Sequence, residues 1–281
     1  MRYDTYTIDN GLSQNMVVAI CEDQQGFMWF GTKDGLNRFD GHSFVIYRNN
    51  PDNPHSLSDN EVSAIYEDKA QNLWIGTNPG RLNYFDRKTS RFYVLPDIDI
   101  NLTVSRSRNI IDIKEDQNGD IWVASYNALS RIIIKDKKIG LHPDAKGIKG
   151  QYKVETFLKA RRNGTDIIGV NEFTMSSNGL LYVIMGDGLY RSEKKITESI
   201  SPHFIKVLDK KGNSITEDKK GIIWFTSAEG LFRYDPKSSS LTAFKDPRLE
   251  RPSYNKLPYR GTENFGLLNG RPIKGDSITY L

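Results

Sequence analysis

The chain has 281 residues, 37% of them hydrophobic, a formal charge of +4 and one cysteine. Such a length and composition supply a large core and exclude a tail or linker, basic residues interspersed with acidic ones exclude a nucleic-acid footprint, and one thiol excludes a disulfide framework. No apolar run approaches about 18 residues, and the opening MRYDTYTIDN lacks the charged and apolar regions of a signal peptide, so nothing as written predicts a membrane span or a secretion signal.

From the N-terminus, residues 3–8 read as a strand, because YDTYT with the following Asp9-Asn10-Gly11-Leu12-Ser13 matches the later SFVIYRNN and HSLSDNEV. It is expected to be the fourth strand of a preceding unit. Residues 16–47 then hold four strand-like runs: Val17 to Cys21, Phe27 to Thr32, Leu36 to Phe39 and Phe44 to Tyr47. The joints are the turn Asp23-Gln24-Gln25-Gly26, the corner Lys33-Asp34-Gly35 and an Asp40-Gly41 tip, all chemistry of tight hairpins. After a loop rich in Asn, Pro, Asp and Ser at 48–59, the same pattern occupies 62–95. A third unit spans 109–157, interrupted by a Gly- and Lys-rich excursion at 135–151. A fourth spans 170–208 and a fifth 214–245. After a connection at 246–274, GDSITYL at 275–281 lines up with GNSITED at 212–218 and reads as the first strand of a sixth unit.

One spacing runs through these units. Asp23, Trp29 and Gly35 sit six residues apart, and so do Asp68, Trp74 and Gly80, then Asp116, Trp122 and Ala128, then Asp218, Trp224 and Gly230. Ser176, Tyr182 and Gly188 keep the spacing in degenerate form. Measured from Trp to Trp or Tyr, the intervals are 45, 48, 60 and 42 residues, in the range of propeller blades. Each unit is a four-stranded antiparallel meander with its Trp midway along the second strand, where the ring can cover the neighbouring sheet while its N–H finds a backbone acceptor. Radial stacking buries both faces and protects the edges. The expected fold is an all-β propeller of about five four-stranded blades plus the first strand of a sixth. Either it is part of a larger ring of about seven blades, or a short ring is closed by the terminal strands.

The copies ICEDQQGFMWFGTKDGLNRFD, IYEDKAQNLWIGTNPGRLNYFD, IKEDQNGDIWVASYNALSRI and ITEDKKGIIWFTSAEGLFRYD resemble the two-component regulator propeller repeat. The resemblance weakens at 170–192, where Met175-Ser176-Ser177 replaces the acidic pair and Tyr182 replaces Trp. It implies the periplasmic sensor region of a hybrid two-component histidine kinase of Bacteroidetes. Such a region recognises oligosaccharides from polysaccharide breakdown, works as a homodimer, and reaches the membrane only through downstream segments. Kinase activity would belong to a separate cytoplasmic domain, so this chain is expected not to be an enzyme.

The repeated Glu-Asp pairs resemble the paired carboxylates of glycosidases. Recurrence at one offset in four blades instead marks a structural task, and the same argument makes the four Trp residues packing groups. The histidines 42, 55, 142 and 203 share no ligand spacing, and no phosphate-loop, dinucleotide or nucleophile-elbow motif appears. No catalytic residue, metal or cofactor is expected. Recognition is sought where the blades differ, on the face shared by the second-to-third-strand corners and the inter-blade loops. The candidates are Lys33, Asp34, Asn78, Arg106, Arg108, Tyr126, Asn127, Arg161, Arg162, Asp187 and Glu229. Arg and Tyr there suit a carboxylated or sulfated sugar. The competing readings are a protein-interaction scaffold, which demands an exposed apolar patch, and a propeller lyase or glycosidase, which demands a convergent acid and base.

Overall fold

The structure, a computed structural model, describes residues 5–95, 109–137, 140–144, 147–163, 166–197 and 201–244. The chain folds as all-β propeller blades in five four-stranded antiparallel sheets, each a simple meander. Sheet I holds β1 (Val17–Glu22), β2 (Met28–Thr32), β3 (Gly35–Phe39) and β4 (Phe44–Tyr47). Sheet II holds β5 (Val62–Glu67), β6 (Leu73–Thr77), β7 (Arg81–Asp86) and β8 (Arg91–Leu95). Sheet III holds β9 (Ile110–Glu115), β10 (Ile121–Ser125), β11 (Ala128–Ile134) and β12 (Tyr152–Phe157), followed by the two-stranded β13 (Arg161–Asn163) and β14 (Asp166–Ile168). Sheet IV holds β15 (Val170–Met175), β16 (Leu181–Met185), β17 (Gly188–Ser192) and β18 (Phe204–Leu208). Sheet V holds β19 (Ile215–Glu217), β20 (Ile223–Ser227), β21 (Gly230–Asp235) and β22 (Ser240–Phe244). The chain forms two compact units: one runs up to Val170 and takes in Thr197, and the other holds Asn171–Ile196 and the described residues from 201 onward.

The six-residue offset from Asp to Trp has a direct physical cause. One carboxylate oxygen of Asp23 accepts the N–H groups of Gln25 and Phe27 at 3.0 and 2.9 Å, closing the turn, and the other accepts Trp29 Nε1–H at 2.7 Å. Asp68 holds Trp74 at 2.9 Å, Asp116 holds Trp122 at 2.9 Å and Asp218 holds Trp224 at 2.8 Å. The indole N–H thus finds a carboxylate and not the expected backbone acceptor, and the turn and the core ring form one unit. A charged acceptor strengthens that bond. Trp29, Trp74 and Trp122 are fully buried, and Trp29 packs on Phe85 of sheet II with ring centroids 5.6 Å apart. In sheet IV both partners change together. The Ser176 hydroxyl donates to Glu217, and the buried Tyr182 hydroxyl has no hydrogen-bond partner among the described residues.

In three of the four Glu-Asp pairs the Glu performs a second task. Glu67 accepts the Gln24 N–H at 2.8 Å, Glu115 accepts the Lys69 N–H at 2.8 Å and Glu217 accepts the Ser177 N–H at 2.6 Å. Each link ties a sheet to the turn of the sheet before it. Arg87 reinforces the first, with its guanidinium 2.7 Å from Asp23 and 2.7 Å from Glu67. A buried polar triad also recurs. Ser13 Oγ lies 2.8 Å from Thr32 Oγ1 and accepts from Asn37 Nδ2 at 2.8 Å, while Ser58 lies 2.9 Å from Thr77 and 2.9 Å from Asn83. The triad pins the loop entering each of the first two blades to its second and third strands.

One expectation is corrected. The strand expected at 3–8 is absent over its described part. Thr7 and Asn10 form a reciprocal cap on the 3-10 turn Ile8–Asn10, and Tyr6 packs instead on Phe39 and Phe44, 4.8 and 5.9 Å between ring centroids. The excursion at 135–151 is anchored: Leu141 and Ile148 are buried beside Tyr84 and Tyr93 of sheet II. Residues 3–4, 245 and 275–281, where further strand positions are expected, lie outside the described residues.

Candidate functional site

The corners between second and third strands meet the inter-blade loops, as an antiparallel meander requires. Gly35 N–H donates to Asn60 O at 2.7 Å, and Ala160 and Val170 donate to the carbonyls of Asn127 and Tyr126 at 2.7 and 3.2 Å. The candidate side chains on these corners are mostly engaged nearby. Asp34 takes Arg48 at 2.9 Å, Asn78 donates to Glu61 at 2.8 Å and Glu229 pairs with Lys210. Asp187 accepts the Tyr190 hydroxyl at 3.0 Å and lies 3.2 Å from Lys206. Asn127 is buried, and Tyr126 is crowded by Gly169, whose added Cβ would come within 2.3 Å of Tyr126 O. Lys33 is exposed. Arg161 is an exposed residue of β13, paired with Ile168, and Arg162 occupies the next backbone position. Arg106 and Arg108 lie outside the described residues. Most of the described corner candidates thus spend their polar groups on structure.

The excursion between β11 and β12 builds a different feature. It reaches over sheet II, where Tyr84 donates its hydroxyl to Leu141 O at 3.3 Å, and burial pushes the Tyr84 phenol up to about 12. Beneath it, on the face of the first-to-second-strand turns, opens a cleft of about 550 Å³ reached by Gln25 of sheet I, by Asn72, Arg87 and Lys88 of sheet II, and by His142 and Pro143 of the excursion. A second, smaller cleft of about 280 Å³ lies on the other side of the excursion, between His55, Tyr93, Ile148 and Tyr152. Sequence reasoning missed both. The available signal was the length of the insertion at 135–151, since long segments on a repeat scaffold are where unique features arise. Among the described residues, no cluster of three or more His, Cys, Asp or Glu is arranged to hold a metal.

The profile of the family described as two component regulator propeller matches residues 11–34, 56–78 and 105–127. The chain carries two-component regulator propeller repeats. The matched segments end in the corners of sheets I, II and III, and the first two contain the Ser13–Thr32 and Ser58–Thr77 pairs of the two triads. A stretch of 55 residues, 20% of the chain, is 51% identical to Histidine kinase P4 of Formosa agariphila and covers 4% of that protein. Among solved structures, an extracellular domain assigned to a hybrid two component system of B. thetaiotaomicron matches at TM-score 0.61 and 23% identity, over 85% of this chain and 31% of that one. An extracellular domain assigned to a one component system of the same organism matches at TM-score 0.62 and 24% identity, over 87% and 34%. These likenesses show the fold. The regulator propeller chain spans about a third of those structures.

Proposed function

We propose that the chain is an extracytoplasmic ligand-sensing propeller module of a hybrid two-component sensor histidine kinase, placed in the periplasm and itself non-catalytic. The observation that carries this reading is the set of regulator propeller repeats joined to 51% identity with a histidine kinase over 55 residues. The ligand class is oligosaccharides released from polysaccharides. In the intact sensor, a homodimer, the sugar signals by binding two arrangements unequally. A ligand that binds only the folded chain must raise its melting temperature, by about 2.7 kcal/mol of stabilisation at a hundredfold excess over Kd. The test is a thermal-shift panel of acidic and neutral oligosaccharides on the purified chain. A concentration-dependent rise with one sugar class supports the reading, and a well-folded sample that responds to none sinks it.

One observation favours a second reading, a protein-docking scaffold. Met16, Val18 and Ile20, at and just before β1, are 50, 48 and 53% exposed. Exposed apolar patches mark contact surfaces.

A further inference from the structure

We propose that two copies of this chain associate head to tail, the tryptophan face of sheet V in one copy docking on the outer face of sheet I in the other. The inference goes beyond the sensor reading, because it stands on two open faces whatever the ligand is. A stack of repeats keeps soluble by giving its terminal members polar outer faces. Sheets I and V, the first and last described, expose apolar ones.

The contact follows from how sheets I and II already pack. There Trp29 and Leu36 are fully buried beside Phe85 and Phe92, and Tyr47 stands 5.4 and 5.5 Å from those two rings. Trp224, Leu231 and Phe244 hold the same register places in sheet V. Yet Trp224 and Leu231 are half-buried and Phe244 is 48% exposed. Sheet V thus presents an inserting face with no receiver. Sheet I presents the receiver. Ile20 and Phe30, paired across sheet I, correspond to Ile65 and Ile75, paired across sheet II. Ile75 is fully buried in the contact with sheet I, whereas Ile20 is 53% exposed and Phe30 is half-buried. Tyr6, itself 44% exposed, rests on Phe39 and Phe44 where Tyr47 rests on Phe85 and Phe92, so Phe244 of the second copy takes the place of Tyr6. A polar observation points the same way. Glu67, Glu115 and Glu217 each accept an N–H from the turn of the sheet before, but the exposed Glu22 carboxylate has no partner among the described residues. Lys219 of sheet V holds the place of Lys69, whose N–H and ammonium lie 2.8 and 3.8 Å from Glu115. The Lys219 N–H also lacks a partner among the described residues. Docking gives Glu22 that N–H and a charge-assisted ammonium.

The test is sedimentation velocity of the intact chain over a range of concentrations, with circular dichroism verifying that each variant is folded. The wild type is expected to form a species of two or more copies. Ile20→Asp charges the receiving face and Phe244→Asp charges the inserting face, and each should weaken association at least about tenfold. Mixing the two variants should restore a two-copy species and none larger, because each variant keeps the face that the other has lost. A wild type that sediments as a single copy at every concentration overturns the proposal. So does association that survives both substitutions. Association lost in Ile20→Asp and kept in Phe244→Asp overturns it too, since sheet I would then be pairing with its own counterpart.

Discussion

Asp68 shows how much one residue can carry. Its carboxylate accepts the Asn72 N–H at 2.8 Å and the Trp74 indole N–H at 2.9 Å, and it is 3% exposed. Asp68→Ala is expected to cost about 2–4 kcal/mol, because it opens the turn and strands a buried donor at once. Trp74→Phe keeps most of the apolar burial and should cost less, and the double variant should cost less than the sum, since both changes break the same bond. Urea unfolding of the three variants measures this. Additive losses would show that the bond does not couple turn and core. The offset itself was legible in the sequence, as a repeated pair, but its reason was not. A carboxylate six residues from an indole reads equally as two independent tasks until the hydrogen bond is seen.

At the scale of the element, the sheets pack closely enough that single atoms matter. A Cβ added at Gly76 would fall 2.6 Å from Ile110 Cβ and 2.7 Å from its Cγ2, so Gly76→Ala must push sheets II and III apart. The expected loss is about 1–3 kcal/mol, the usual cost of overpacking. A variant as stable as the wild type would mean the two sheets do not approach so closely. The blade strands were legible because hydrophobic alternation, Asp-Gly tips and Trp spacing agree. The β13 and β14 hairpin was not, since Arg161 to Ile168 mixes charged, Gly and Thr residues without alternation. The excursion read only as a Gly- and Lys-rich insertion. Its anchors are two isolated residues, Leu141 and Ile148, whose burial depends on Tyr84 and Tyr93 of another blade. Topology set the second-to-third-strand corners against the inter-blade loops, where Gly35 N–H donates to Asn60 O. What topology could not reveal is that Asp34, Asn78, Asp187 and Glu229 have partners close by.

For the whole molecule, the buried carboxylates pull stability in two directions with pH. Burial pushes Asp112, Glu115 and Asp120 above the usual carboxylate range, against the Lys and Arg groups that face them. For Asp23 and Asp218 burial acts the same way, but hydrogen bonds from the Trp ring and the turn N–H groups, with Arg87 added at Asp23, outweigh it and leave both lowered. A raised carboxyl binds its proton more tightly folded than unfolded, so its penalty is full at neutral pH and is relieved as pH falls. A lowered carboxyl stabilises above its unfolded value, near 3.8, and loses that contribution as pH drops through its folded value. Stability should therefore rise as pH is lowered from neutrality through the raised carboxyl values, and fall once pH drops below the unfolded carboxylate value, near 3.8. Glu115→Gln should flatten the first slope and Asp23→Asn the second. Melting temperatures across that range check both, and a curve that only rises as pH is raised to neutrality would contradict the first.

The pairing of one tryptophan with one aspartate in four of the five sheets also gives the molecule a built-in optical map. Four indoles stand in sheets I, II, III and V, and sheet IV, with Tyr182 in that position, is dark. Three are sealed from water against a carboxylate, while the Trp224 position is partly open. Single-tryptophan variants would let the emission of each lit blade be followed separately as the chain unfolds or takes up a ligand. An event at the turns of sheets I and II should perturb the colours of Trp29 and Trp74, which those turns anchor, and leave that of Trp224 as it was.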